Sequence, residues 1–474
     1  MEIATETERK YDVPADFELP RLTGLGAAET HELDATYFDT DDLRLARNKR
    51  TLRRRTGGSD AGWHLKTPGD GTSRTEHRMP LDGTDVPGEL VAEVRAIVRD
   101  RPLRPLVRLR TTRVETPLKD ADGRTLALIA QDAVTAETDG EEQRWQEIEV
   151  ELVDGGAKIL KTVEKALLAA GATPSGSSSK LARALGDRLK TGKIKGEQSH
   201  PVLAYALQQR AALEANDPGV RRGEPEAVHR MRVATRRLRS TLKTFKRSFD
   251  PDAAPPIADD LKWLAQLLGE VRDGQVLSHK LLQGVEQEGP EFAAVAARIK
   301  GYLDDKVEHG RQAVEAELVG ERYLKLLDAV DALVDSGTGE DDPVRRARKA
   351  LARADGLLDE ATAEGVDAEL HEARKSYKRA RYGVEVFESS VGKPAAQLTK
   401  RLTELQDVLG SHQDSVVARE ILKELADAAH AAGENAFPYG ILHARQEQVG
   451  RATLDELPAV VAASRKPKLR SWLG

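Results

Sequence analysis

The chain contains no cysteine, which excludes a disulfide framework, thiolate catalysis and a Cys-ligated zinc site. Aromatic residues make up only 4% of it, so few rings are available to stack on nucleic-acid bases. No apolar run is long enough to cross a bilayer, and the sequence is polar from Glu2 onward without a signal-peptide core. The expectation is a cytoplasmic protein with no membrane partner. Charge of one sign is also lacking. The net charge is −6, and residues 1–190 carry 30 Lys+Arg against 34 Asp+Glu while the remainder carries 43 against 45. Neither half is a basic domain, so nucleic acid is not an expected partner, and any polyanion must be met by basic residues gathered on one face. What is present is 39% hydrophobic content drawn mainly from Ala, Leu and Val, over 474 residues. That length suits two or three domains, and that core suits closely packed helices.

The first 155 residues read as strands. Segments Thr5–Val13, Glu29–Phe38, Lys49–Thr56, Trp63–Thr67 and Ser73–Leu81 come first, the last after a Pro68-Gly69-Asp70-Gly71 turn. A short helix, Gly88–Arg99, precedes Pro105–Thr116, Arg124–Val134 and Gln143–Val153. Asp-Gly turns at Asp122-Gly123, Asp139-Gly140 and Asp154-Gly155 separate the later ones. Eight short strands at regular spacing predict a closed antiparallel sheet, because closure removes exposed edges.

Alternation decides which side chains share a face. Glu6, Glu8 and Lys10 fall together, a combination poorly suited to a core but suited to a metal ion holding a phosphate. Arg53 and Arg55 share a face, as do His64 and Lys66, then Arg74, Glu76 and Arg78, then Arg108 and Arg110. Glu147, Glu149 and Glu151 alternate with Ile148, Val150 and Leu152. Pattern alone leaves two arrangements equal: an ordinary barrel with a solvated charged exterior, or a hydrated charged tunnel whose apolar outer face is covered by helices.

Residues 156–190 predict a helix at Lys158–Ala170 and a second segment from Lys180, and residues 191–199 read as a polar linker. From His200 the period becomes helical, with about ten helices expected and breaks at Pro218, Pro251–Pro256, Gly289-Pro290, Gly337–Pro343, Gly392–Pro394 and Pro438. This region repeats itself. His229-Arg230-Met231-Arg232-Val233-Ala234-Thr235-Arg236-Arg237-Leu238-Arg239 and His371-Glu372-Ala373-Arg374-Lys375-Ser376-Tyr377-Lys378-Arg379-Ala380-Arg381 share one pattern. Each is followed by a second landmark, Leu268-Gly269-Glu270-Val271-Arg272-Asp273 and Leu409-Gly410-Ser411-His412-Gln413-Asp414. The unit is too long for a solenoid repeat, so a duplicated helical bundle with pseudo-two-fold symmetry is expected, with copies over about 200–335 and 343–474.

On a helical wheel His229, Arg232, Arg236 and Arg239 form one stripe, matched by His371, Arg374, Lys378 and Arg381, with Arg237, Lys375 and Arg379 flanking. Like charges at this spacing repel, and their recurrence in two copies favours a shared anion site. Arg and Lys match phosphate oxygens. With only Tyr377 and Tyr382 near the stripes, a phosphate polymer without bases is the economical ligand. The two histidines are open to a structural role or to ligand contact.

Residues 1–190 resemble a CYTH domain, the triphosphate tunnel metalloenzyme superfamily. The matching residues are Glu6-x-Glu8-x-Lys10, Tyr37-Phe38-Asp39-Thr40, Leu52-Arg53-Arg54-Arg55, Lys66-Thr67-Pro68, Asp132, Glu147-Ile148-Glu149-Val150-Glu151 and Ser179-Lys180-Leu181. Residues 200–474 resemble a CHAD domain, the conserved-histidine α-helical family associated with inorganic polyphosphate, through the two basic helices and the two landmarks. The resemblance implies a multidomain protein: an α+β eight-stranded antiparallel tunnel with inward charges and flanking helices, followed by the all-α duplicated bundle. It implies that Glu6, Glu8, Glu147, Glu149 and Asp132 hold Mg²⁺ or Mn²⁺, and that Lys10, Arg53, Arg55, Lys66, Arg108, Arg110 and Lys180 grip a triphosphate, with Glu76 as a catalytic candidate. The expected activity is hydrolysis of inorganic tripolyphosphate or a related triphosphate by in-line attack of water, with polyphosphate bound by the helical domain and polyphosphate granules as an associated location. Thiamine triphosphatase or class IV adenylyl cyclase activity stays open, though only Trp63 and Trp145 are at hand for a base-binding wall. A non-catalytic polyphosphate receptor stays open too.

Overall fold

A computed structural model describes residues 1–69, 73–189, 200–286, 288–289, 292–337 and 342–474. The expected linker at 191–199 and the Asp70-Gly71 half of the expected turn lie outside the described residues. The chain divides into two compact units, Met1–Lys193 and Ile194–Gly474.

The first unit is a closed antiparallel barrel. Its strands are β1 (Glu2–Val13), β2 (Glu29–Asp39), β3 (Thr51–Thr56), β4 (Gly62–Pro68), β5 (Ser73–Met79), β6 (Arg104–Lys119), β7 (Thr125–Thr138) and β8 (Glu141–Leu152). They run in the order β5-β4-β3-β2-β6-β7-β8-β1, and pairing of β1 with β5 closes the ring. A two-residue strand, β9 (Thr173–Pro174), adds to β1. The expected eight strands and their closure are present.

Helices cover the apolar outer face. Phe38, Leu52, Trp63 and Leu65 pack under α2 (Gly88–Val98) through Leu90, Val94 and Ile97, next to the short α1 (Arg44–Arg47). Tyr11, Ile129, Ile148 and Val150 pack under α3 (Ala157–Ala169) through Leu160, Val163 and Leu167. On β1, β3, β4 and β8 the opposite face carries the charges, so the tunnel arrangement holds. Part of that inner face is apolar as well: Tyr37, Val107, Leu109, Val134 and Ala136 meet Leu181, Ala184 and Leu185 of α4 (Lys180–Leu185).

The second unit is helical. Its first copy comprises α5 (Pro201–Arg221), α6 (Pro225–Thr244), α7 (Ala254–Glu286), α8 (Ala293–Leu318) and α9 (Glu321–Asp335). Its second comprises α10 (Pro343–Glu364), α11 (Asp367–Glu385), α12 (Glu388–Val391), α13 (Lys393–Ala431), α14 (Phe437–Ser464) and α15 (Pro467–Arg470). The basic motifs lie on α6 and α11 and the second landmarks on α7 and α13, so the duplication in sequence is a duplication in structure. The long pairs α7–α8 and α13–α14 share one core, in which Leu281, Ile299 and Leu303 meet Leu422, Leu425 and Leu442. Pro218, an expected break, instead lies inside α5. It falls in the last turn, where the missing N–H removes a single bond and the helix ends three residues later.

Candidate functional site

The inward side chains of β1 and β8 are set by register. Glu8 stands opposite Glu151, and Lys10 opposite Glu149. On the other side of β1, β5 brings Arg74, Glu76 and Arg78 to the same interior. From β3 and β4 come Arg53, Arg55 and Lys66, so strands far apart in sequence point their charges at one space.

Within it nearly every charge is paired. Lys10 bonds Glu149 and lies 3.2 Å from Glu8. Lys66 bonds Glu6, whose other oxygen accepts from Arg78 at 3.1 Å. Arg53 donates to the Tyr37 hydroxyl at 3.3 Å, and Arg55 pairs with Asp60. Burial first, then Arg53, pushes the Arg55 guanidinium down to about 9. Eight cations and six carboxylates line the space, with Tyr37 as the single aromatic among the described lining residues.

Deeper, Lys180 is nearly buried at the start of α4, where the Ser179 hydroxyl caps the helix by accepting from the Ala182 amide at 3.0 Å. Its ammonium lies 2.9 Å from Asp132, 2.8 Å from Glu147 and 2.7 Å from Glu149. Burial opposes its charge, but these three anions outweigh the desolvation and raise its pKa above the usual lysine range. Arg113 braces the same group, donating to Asp132 at 2.8 and 2.7 Å and to Glu149 at 2.8 Å.

The residues present fit a divalent ion. Oxygens of Asp132, Glu147 and Glu149 lie within 4.8 Å of one another, and carboxylates are hard donors suited to Mg²⁺ or Mn²⁺. That trio is already engaged by Lys180, however. Glu6, Glu8, Glu149 and Glu151 form a second acidic group. There burial, then the charge of Glu6, followed by smaller repulsion from Glu8 and Glu149, pushes the Glu151 carboxyl up to about 7. Mutual repulsion among acids marks the place where a cation is most favoured.

Several expected residues are placed differently from the expectation. Arg108 and Arg110 lie on the exposed outer face of β6, at 53% and 54% exposure, beside Asp34 and Glu137. They share parity with each other but not with the interior. Arg113, absent from the expected set, has the inward parity of Val107 and Leu109 and takes the tunnel position. Asp132 and Glu147, expected as metal ligands, hold Lys180, and Glu147 also accepts from the Trp145 indole N–H at 2.6 Å. Glu76, the catalytic candidate, is buried between His64 at 3.0 Å, Arg78 and Lys66. Burial opposes its ionisation, but the bond to His64 and the charge of Lys66 hold it far below the usual carboxylate range. In this setting its carboxylate anchors the surrounding cations. Glu151, Arg74 and Arg78 also line the tunnel; their parity with Glu149 and Glu76 was the available signal.

In the helical unit, α6 and α11 bring Arg232, Arg236, Arg239, His371, Arg374, Lys375 and Lys378 onto one cavity of about 660 Å³. Burial, then Arg236 and Arg374, pushes the Lys378 ammonium down to about 6. The facing helices add Asp273, Asp414 and an aliphatic stretch including Leu277 and Ile421. Arg237 and Arg381 do not line the cavity. Both pair with the buried carboxylate of Glu385, at 2.9 and 2.6 Å, and lie over the Tyr382 ring. His229 and Arg379 do not line the cavity. The imidazoles of His229 and His371 are both held below their usual range, first by burial and then by a neighbouring cation, Arg272 or Lys375. Tyr377 is fully buried and donates to Asp355 at 2.5 Å, so it offers no stacking platform.

Comparison with known proteins agrees with this two-part architecture. The CYTH-domain family profile matches residues 4–185 and the CHAD-domain profile residues 204–423. The uncharacterized protein Rv2226 of Mycobacterium tuberculosis is 39% identical over 497 residues, covering 96% of this chain and 95% of its own. The chain therefore belongs to the family in which a CYTH tunnel domain is followed by a CHAD domain. Among solved structures, PptA from Streptomyces chartreusis is 19% identical with a TM-score of 0.48, covering 55% of this chain and 98% of its own. The CHAD domain from the plant Ricinus communis is 26% identical with a TM-score of 0.42, covering 56% and 90%. No helix among the described residues is long and apolar enough to cross a membrane.

Proposed function

We propose that the tunnel hydrolyses inorganic tripolyphosphate or a closely related triphosphate with Mg²⁺ or Mn²⁺, and that the helical groove binds inorganic polyphosphate. The observation that carries this reading is that eight cations, six carboxylates and one aromatic line the tunnel among the described residues. Surplus cations favour a polyanion. A nucleobase or thiazolium finds no wall there: Trp63 is buried on the outer face under α2, and Trp145 packs against the Arg183 guanidinium.

Glu6, Glu8, Glu149 and Glu151 would hold the ion, which supplies Lewis-acid neutralisation of the phosphate oxygens. Lys10, Lys66, Arg53, Arg55, Arg78, Arg113 and Lys180 would bind the triphosphate oxygens and stabilise the charge that spreads over them as water attacks the terminal phosphorus in line. Each cation that turns to a phosphate oxygen frees a carboxylate, so substrate and metal binding favour one another. Asp132, Glu147 and Glu76 position Lys180, Arg113 and Arg78. In the groove, Arg232, Arg236, Arg374 and Lys378 would bind the polymer, and by that binding the protein would associate with polyphosphate granules in the cytoplasm.

Phosphate release from tripolyphosphate, ATP and thiamine triphosphate, each with Mg²⁺ or Mn²⁺, tests the tunnel. Tripolyphosphate is expected to be preferred, and Glu6→Gln or Glu8→Gln to lower its hydrolysis by about a hundredfold or more. Unchanged release in both variants sinks the assignment, and tight binding without release from any substrate favours a receptor. For the groove, polyphosphate affinity is expected to fall steeply with salt and to vanish when Arg232, Arg236, Arg374 and Lys378 are all changed to Ala. Equal affinity for single-stranded DNA would sink that half.

A further inference from the structure

The second landmark of each copy has a structural counterpart that repeats. A Cβ placed on Gly269 would stand 3.4 Å from Nη2 and 3.5 Å from Nε of Arg232, and one on Gly410 would stand 3.4 and 3.6 Å from the same atoms of Arg374. Each guanidinium thus lies directly on the helix carrying the landmark, over the one residue that offers no side chain. The same contact in two copies, built from different segments of sequence, identifies it as a designed feature of the bundle.

One helical turn beyond Gly269, on the same face of α7, stands Asp273. Its two oxygens accept from Arg232 Nη1 at 2.9 Å and Nη2 at 2.8 Å, a bidentate pair that fixes both the place and the plane of the guanidinium. In the second copy, Asp414 occupies the matching place but accepts instead from Lys280 of α7 at 2.5 Å. The exchange is one-sided because the residue of α13 that corresponds to Lys280 is Ile421, which has no charge to return.

We infer that Asp273, acting with the notch at Gly269, is a positioning residue for anion binding: it holds Arg232 in the groove in the orientation that meets phosphate. This rests on the polyphosphate reading of the groove. It also runs against simple electrostatics, by which an acid at the rim of an anion site repels the ligand and its removal tightens binding. Asp273→Asn and Asp273→Ala remove the same charge, but only Asn keeps an oxygen that can accept from Arg232.

The test is calorimetric titration of the full chain with long-chain inorganic polyphosphate. Asp273→Ala is expected to bind about tenfold more weakly than Asp273→Asn, the scale of one hydrogen bond to a charged group. In an Arg232→Ala background that difference should disappear, because the partner being positioned is gone. Equal affinities of the Asn and Ala variants, or a difference that persists without Arg232, overturns the inference. The Asp273 side chain is 69% exposed, so neither substitution threatens folding. Failure of the underlying reading is distinguishable: polyphosphate would then bind the quadruple Arg232, Arg236, Arg374 and Lys378 alanine variant as tightly as the unaltered chain.

Discussion

Lys378 shows how a single residue can couple anion binding to pH. Its ammonium, pushed down to about 6 by burial and then by Arg236, Arg374 and Arg232, is mostly neutral at pH 7.5. A bound polyanion restores the charge, so polyphosphate binding is expected to take up a proton and to tighten as pH falls from 8 toward 6. Calorimetry in two buffers of different ionisation enthalpy measures this, and Lys378→Met should reduce the uptake; unaltered uptake in the variant would assign it elsewhere. For stability the sign runs the other way. The folded pKa lies below the unfolded one, so between about pH 6 and the usual lysine range the unfolded chain binds more protons, and this residue's contribution to stability rises with pH through that window. Lys180 is the opposite case, a buried cation that three carboxylates stabilise. Lys180→Met should destabilise the tunnel unit by about 3–5 kcal/mol, the scale of a broken buried ion pair. Urea unfolding of the full chain checks it, with Mg²⁺ expected to restore part of the loss by entering the vacated acidic cluster.

At the level of elements, strand parity decides function. Arg108, Arg110 and Arg113 sit within six residues of β6, yet the first two face solvent and the third braces Asp132 and Glu149. Arg113→Ala is therefore expected to lower tripolyphosphate hydrolysis by about a hundredfold, while the double Arg108→Ala, Arg110→Ala variant stays within about twofold in kcat/KM, since exposed pairs of this kind contribute little. A comparable loss in both would mean that β6 has the opposite face inward. The sequence carried the alternation but not the reference point. Val107, Leu109 and Thr111 share parity with Arg113, so a cation recurring on an otherwise apolar face was legible; the pair of arginines on the other face was the louder signal. The basic stripes themselves lie on α6 and α11, as their helical period requires. The pairing of Arg381 with Glu385 four residues on is a local helical pair and was legible. The sequence could not show that Glu385 and Tyr382 would also claim Arg237, because that contact joins α6 to α11 and forms only when the two copies fold together.

For the molecule as a whole, the tunnel and the groove draw on separate residues, and their proposed activities should separate. The quadruple groove variant is expected to keep tripolyphosphate hydrolysis while losing polyphosphate binding, and Glu6→Gln to do the reverse. Phosphate release and polyphosphate titration on the same preparations would show it, and joint loss in either variant would tie the sites together. The strand count, the helical repeat and the Glu6-x-Glu8-x-Lys10 pentad were all set by local sequence: alternation and helical period are properties of neighbouring residues. Which face of the barrel is inside is not. It was decided when α2 and α3 buried one set of apolar faces and the β1–β5 pairing closed the ring, turning the charged set inward. Tertiary structure likewise set Lys180 against Asp132 and Glu147 and brought Glu151 beside Glu8, because the charge a carboxylate meets depends on the strands that closure places across from it.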